Sequence, residues 1–268
     1  MRTSRAITIA LLCCIGSMSC LAAQDVNGDG HVTYLVPLNV PSAVSGAYAS
    51  QWETELWVYN GSSSPYNIQG CPGLNVGGTS LCQGVPFHSP GVTEKAFPYE
   101  TGEDSPGVLN AFTFDVSPAN AGVVVKSRLY EISKHAQPAG VEIPVVPEDA
   151  FFTEASRFIA VPNNVGLRVA LRIYDPMHTA GSAARVEIFD ENGTALASTV
   201  LPLIPQTIDA ISPGYAAILD IGSAFPQLSG VDRFDIEVTP LTAGMRYWAF
   251  ASVTDQSTQT VLLVTAEK

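Results

Sequence analysis

Phe114-Asp115-Val116-Ser117-Pro118-Ala119-Asn120-Ala121-Gly122 returns near the C-terminus as Ile236-Glu237-Val238-Thr239-Pro240-Leu241-Thr242-Ala243-Gly244. Each copy alternates apolar, acidic, apolar and hydroxyl residues up to a proline, then passes through Ala-Gly into a strand-like run. Those runs are Val123–Tyr130 and Met245–Val253. Two more echoes lie upstream: Leu56-Trp57-Val58-Tyr59-Asn60 matches Leu171-Arg172-Ile173-Tyr174-Asp175, and Tyr34-Leu35-Val36-Pro37 matches Ile159-Ala160-Val161-Pro162. In chain order the offsets are 125, 115 and 122 residues, so one unit with variable loops accounts for all three. A period of that length is too long for a solenoid repeat and matches a whole domain.

The units read as β. In Trp52–Tyr59 the even positions Trp52, Thr54, Leu56 and Val58 form an inward face, and Glu53, Glu55, Trp57 and Tyr59 the other. Val123–Tyr130 alternates likewise, with Val124, Lys126, Arg128 and Tyr130 on its outer side. Val186 and Ile188 face inward before the Asn192-Gly193 hairpin signal. Twenty-two glycines and 19 prolines punctuate the strands. No dozen-residue segment keeps a helical stripe; single helical turns are predicted around Glu148–Phe151 and Ser223–Leu228. The fold class is therefore all-β, two tandem antiparallel β-sandwich (Ig-like) domains. The expected division is a leader over 1–23, a first domain over 24–146 and a second over 147–268. Pro144-Val145-Val146-Pro147 is expected to be the stiff, extended connector.

The N-terminus predicts export. Arg2 and Arg5 precede an apolar run from Ile7 to Ile15 and a small-residue exit at Ala22-Ala23. That is the layout of a secretory signal peptide, cut after Ala22 or Ala23, and too short to span a membrane. Lipidation of Cys20 on the cell surface is the lesser alternative, since Ser17 stands where a lipobox wants leucine. The expected location is secreted or periplasmic, with no transmembrane segment. Of five cysteines only Cys71 and Cys82 lie beyond the leader. In an exported chain they are expected to form a disulfide, contributing on the order of 2–3 kcal/mol.

The chain carries 13 basic and 25 acidic residues, a net charge of −12, and loss of Arg2 and Arg5 makes it more negative. An acidic surface argues against nucleic acid or anionic lipid as partner.

Arg157–Pro162, Leu171–Asp175, Val186–Gly193 and the closing Tyr247–Asp255 resemble a class of exported bacterial proteins built from tandem Ig-like β-sandwiches. The likeness covers nearly the whole mature chain. It implies fold and export, and no chemistry.

Three constellations bear on chemistry. Asp25-Val26-Asn27-Gly28-Asp29-Gly30 resembles the front of an EF-hand or dockerin-type calcium loop. Asp25, Asn27 and Asp29 offer side-chain oxygens at positions 1, 3 and 5, but Val36 stands where the closing carboxylate belongs. The other reading is a polar N-terminus with ordinary turn formers. His31, His88, His135 and His178 are scattered, without metal or triad spacing, and read as surface histidines. Asp115 and Glu237 are equivalent in the repeat, which fits a solvent-facing strand position better than a glycosidase pair. Trp57 and Tyr59 beside Glu53 and Glu55 are suited to stacking on a sugar. The alternatives are burial under a second sheet, the usual fate of Trp, or packing against the matching face Arg168, Ala170, Arg172 and Tyr174, within a chain or between chains. The expected function is an exported, non-enzymatic structural or binding protein with a glycan or protein partner. Its alternatives are a glycan-binding pair, calcium-assisted, and a hydrolase with a loop-built site.

Overall fold

The structure is a computed structural model. It describes residues 23–26, 28–37, 44–45, 50–65, 75–76, 79–80, 89–96, 111–118, 121–133, 139–205 and 213–267. The leader up to residue 22, Asn27, Cys71, Cys82, His88 and His135 lie outside the described residues.

In the first half the strands are β1 (Val32–Pro37), β2 (Val44–Ser45), β3 (Gln51–Asn60), β4 (Asn75–Val76) and β5 (Thr79–Ser80). They are followed by β6 (Thr93–Ala96), β7 (Ala111–Val116), β8 (Val123–Glu131), β9 (Val141–Ile143) and β10 (Val146–Pro147). The second half holds β11 (Ser156–Pro162), β12 (Leu167–Asp175), β13 (Ala183–Phe189), β14 (Ala195–Pro202) and β15 (Ile204–Pro205). Then come β16 (Gly214–Ile218), β17 (Arg233–Pro240), β18 (Trp248–Asp255) and β19 (Val261–Thr265). Among the described residues, α1 (Ile221–Ala224) is a single helical turn, and 3-10 turns stand at Glu148–Ala150 and Pro226–Leu228, close to where turns were expected. Among the described residues no helix is long and apolar enough to cross a membrane.

All pairing is antiparallel. One sheet of the first half runs β10-β1-β7. A second runs β2-β3-β8-β9, with β6 also on β3, and β4 and β5 pair as a separate two-stranded sheet. The second half runs β11-β17-β13-β14 and β15-β16-β12-β18-β19. In each half the two larger sheets share a core. Val36, Phe114 and Val116 meet Leu56, Val58 and Val125 in the first. In the second, Phe158, Val186, Ile188, Ile236 and Val238 join Leu171, Ile173, Ala249 and Ala251 in one cluster. Period-two alternation supplies both sides of each core, and each fully buried Val, Ile or Leu contributes about 1.5–3 kcal/mol.

The repeated segments occupy matching places. β1 pairs β7 as β11 pairs β17, with Val36 opposite Phe112 and Val161 opposite Phe234. On the other pair of sheets, the order β6-β3-β8-β9 recurs as β16-β12-β18-β19. Each half also closes alike. After β9 the chain crosses to β1 as β10, and after β19 Glu267 bridges across to Arg157 on β11. The last two residues of the Pro144–Pro147 connector are thus themselves a paired strand, with Pro147 opposite Tyr34. One difference is a bulge between Phe158 and Val161, where Ala160 takes φ +53° and donates its N–H to Asp235 Oδ1 at 2.8 Å.

Asn60 and Asp175 end β3 and β12, and both are fully buried. Asn60 Oδ1 accepts the Ser62 N–H at 3.0 Å, and Asn60 Nδ2 donates to the Ser64 carbonyl at 2.8 Å. Asp175 accepts the N–H groups of Met177 at 3.1 Å and Thr179 at 2.8 Å. Each side chain folds the loop that leaves its strand. Asp175→Ala is expected to cost about 1–3 kcal/mol by orphaning those donors. Asp175→Asn, which installs the residue of the first half, is expected to cost less in urea unfolding.

Among the described residues, two apolar contacts join the halves. Leu35, Ala111 and Val146 join the core cluster of the second half. Trp52, Leu129 and Ile143 pack with Val261, and Leu263 lies against them.

Candidate functional site

On β3 the buried side is Trp52, Thr54, Leu56 and Val58, and the other side turns outward. Glu53 and Glu55 are half-buried there, while Trp57 is 37% and Tyr59 42% exposed. The register places Lys126 opposite Trp57 and Val124, 45% exposed, opposite Tyr59. Arg128 stands opposite Glu55 and Tyr130 opposite Glu53. Lys126 is ion-paired with Glu142 of β9, and Arg128 Nη1 donates to the Ala139 carbonyl at 3.1 Å. Trp57 Nε1 donates to Glu55 Oε2 at 3.3 Å. The product is an open sheet face. Trp57 and Tyr59 leave one side of the strand at backbone positions about 7 Å apart, among carboxylates and cations.

The corresponding face of the second half is different. Tyr174 is wholly buried, Ala170 is 5% exposed, and Trp248 and Phe250 are buried beside them. The Tyr174 ring lies 5.3 Å from Tyr215, 6.3 Å from Trp248 and 6.2 Å from Phe250. Arg172 sits over the Phe250 ring at 5.5 Å and donates to Ser252 Oγ at 3.0 Å. Burial pushes the Tyr174 hydroxyl well above the usual tyrosine range. Within the chain, the Arg168–Tyr174 face therefore does not pack on the Trp57–Tyr59 face, which corrects one of the alternatives. Trp57 and Tyr59 are open to solvent, and Tyr174 belongs to an internal aromatic layer. The signal was present in Trp248-Ala249-Phe250-Ala251, which puts large rings on one side of β18 and only methyls on the core side. Sequence parity assigned the sides and could not say that both were covered.

The Asp25 loop folds on itself. Asp25 Oδ1 accepts the Gly28 N–H at 2.6 Å and Oδ2 the Gly30 N–H at 2.7 Å, while Asp29 Oδ1 accepts the His31 N–H at 3.0 Å. Val36 is buried in β1 and supplies no oxygen from its side chain. Among the described residues no group of three or more His, Cys, Asp or Glu side chains is placed to hold a metal ion. His31 is exposed and His178 half-buried. Asp115, exposed, accepts the Thr33 hydroxyl at 2.8 Å, and Glu237 lies between Arg157 and Glu187 of the neighbouring strands. Sequence reading did not foresee an open cleft of about 610 Å³ at one end of the second half, lined by Asn164, Asp190, Glu191, Asn192, Asp232 and Arg233. The Thr194 and Asn192 N–H groups hold Asp190 below the usual carboxylate range there, so its charge serves the hairpin turn.

No protein-family model matches the chain, and no curated protein matches it. Among solved structures it is similar to a chain of infectious bursal disease virus Gx strain, at 12% identity over 88% of this chain and 60% of that one, with a TM-score of 0.19. The chain thus spans less than two thirds of that relative, and a likeness this faint carries no argument.

Proposed function

We propose that the chain is an exported, non-enzymatic binding protein whose ligand is an extracellular glycan. Its two tandem β-sandwich domains are of Ig-like build, with the ligand taken up on the Trp57–Tyr59 face. The domain reading is supported by the matching strand pairs and the matching sheet-crossing ends of the two halves. The Tyr247 hydroxyl, bonded back to the Val238 carbonyl at 2.7 Å as β18 begins, resembles a tyrosine corner. The β13–β14 hairpin precedes β16, the neighbour of β12, so the strand sequence departs from the immunoglobulin order.

One observation carries the ligand class: Trp57 and Tyr59 are both exposed on the same outward side of β3. Leaving large rings in water forgoes their burial, which a planar apolar partner restores. The C–H face of a pyranose is such a partner, and its hydroxyls match the carboxylates and cations of Glu53, Glu55, Lys126 and Arg128. An exposed face binds without enclosing a bond from water, which favours recognition over catalysis.

The test is titration of the mature protein with soluble polysaccharides, read by tryptophan fluorescence and by thermal unfolding. Trp57→Ala and Tyr59→Ala are each expected to weaken binding at least about tenfold, equivalent to about 1.4 kcal/mol, with an unchanged unfolding midpoint. Equal binding by the variants, or no binding by any polysaccharide, removes the glycan reading and leaves a protein partner. Calcium enters as an assistant. A calcium-dependent midpoint shift lost on Asp25→Ala and Asp29→Ala adds it, and the same midpoint in EDTA strikes it out.

A further inference from the structure

We infer that the export leader is cut between Ala23 and Gln24, and that the α-ammonium so released is held by the carboxylate of Asp149. The inference rests on the export reading. Hydrolysis breaks the Ala23–Gln24 C–N bond and forms a C–O bond from water to the Ala23 carbonyl carbon. One water proton goes to the Gln24 nitrogen, and the catalyst is the signal peptidase of the export route. At neutral pH the new amine takes up a further proton from solvent.

The structure already positions that nitrogen. The Gln24 backbone N lies 3.0 Å from Asp149 Oδ2. Two residues on, the Val26 N–H reaches Glu148 Oε1 at 3.2 Å, so this segment is bound in register along the 3-10 turn that joins the halves. Asp25, Glu148 and Asp149 gather there, and Arg246 is ion-paired with Glu148 at 3.9 Å. A cut after Ala23 puts a second positive charge against Asp149. A cut after Ala22 leaves a neutral amide at Gln24 and carries the charge one residue away. The sequence permits either cut, and the geometry points to Ala23.

The pair has a chemical consequence. An N-terminal glutamine cyclises when its neutral amine attacks its own side-chain amide carbon and expels ammonia. Asp149 stabilises the protonated amine, which is not nucleophilic, and therefore slows that loss.

The full chain with its own leader is expressed in a bacterial host, recovered from the exported fraction and weighed intact. The expected product begins at Gln24. Its conversion to the form lighter by one ammonia is expected to run about threefold faster in Asp149→Asn, the range of an exposed ion pair, and high salt should erase the difference. A product beginning at Ala23 or at a lipidated Cys20 overturns the inference while leaving export intact. An uncut chain retained in the cytoplasm overturns export and the inference together. A Gln24 start with equal cyclisation rates removes the Asp149 pair, and equal unfolding midpoints confirm that the variant is folded.

Discussion

Replacing Tyr247 by alanine is expected to remove about 4 kcal/mol of stability, the largest loss foreseen for a single side chain here. Tyr247 is wholly buried. Its ring packs on Phe152 at 5.5 Å. Its hydroxyl contacts the Val238 carbonyl at 2.7 Å, Ser156 Oγ at 2.8 Å and the Glu154 carbonyl at 3.0 Å. That one oxygen ties the start of β18 to the end of β17 and the start of β11. Burial, opposed by the Ser156 contacts, pushes the hydroxyl up to about 12, so it stays protonated and available as a donor. Tyr247→Phe isolates the polar part. It keeps the ring, removes the single O–H proton and the oxygen beside Ser156 Oγ, and is expected to cost about 1–3 kcal/mol. For a chain of this size each kcal/mol lowers the unfolding midpoint by about 2–4 °C. A midpoint unmoved by Tyr247→Phe contradicts the role assigned to the hydroxyl. Counting back from the register, Val123 stands at the matching place in the first half, so this tie belongs to the second half alone.

The second large effect is expected at the junction of the halves. Glu148 is wholly buried, 3.9 Å from Arg246, and Arg246 Nη2 donates to the Glu148 carbonyl at 2.8 Å. Arg246→Ala strips the guanidinium from a buried carboxylate and is expected to cost on the order of 3 kcal/mol near neutral pH. The pH dependence has a definite sign. Burial holds the Glu148 carboxyl above its ordinary 4.5, against the pull of the Val26 and Thr33 N–H groups and of Arg246. The folded chain therefore binds this proton more tightly than the unfolded chain. Its contribution is fully present below 4.5 and is lost as pH rises through the higher folded value. Without Arg246 the folded value climbs further, so the penalty of Arg246→Ala should shrink between about pH 7 and about pH 5. Asp255 has the opposite sign: the Ser257 hydroxyl, with the Thr258 and Ser257 N–H groups, holds it at about 2. Its contribution is present above 3.8 and lost only as pH falls toward 2, which leaves that comparison undisturbed. Urea unfolding of both proteins at the two pH values decides the matter. A penalty that grows on acidification refutes the assignment.

Much of this architecture could be read locally. The alternation in Trp52–Tyr59 gave both faces of β3, because successive strand side chains must point opposite ways. The repeated Phe114–Gly122 and Ile236–Gly244 segments lie at equivalent registers, since the same apolar spacing selects the same pairing. The bulge at Ile159-Ala160 was hidden. Its left-handed alanine is held by Asp235 on another strand, and no local pattern encodes that partner. The expected site residues divide in the same way. Trp57 and Tyr59 were placed on an outward side correctly by parity, yet their exposure, like the burial of Tyr174 on the matching side, depends on what packs above each sheet.

Sequence by itself determined the all-β class, the duplicated strand order and the assignment of each side chain to one face or the other. These follow from the period of two and from residues adjacent in the chain. Only the tertiary structure decided that Glu148 loses its water, that Gln24 meets Asp149, and that one outer face stays open while its counterpart is sealed. Each of those outcomes is a contact between residues far apart in sequence, and desolvation is fixed by such contacts, not by local alternation.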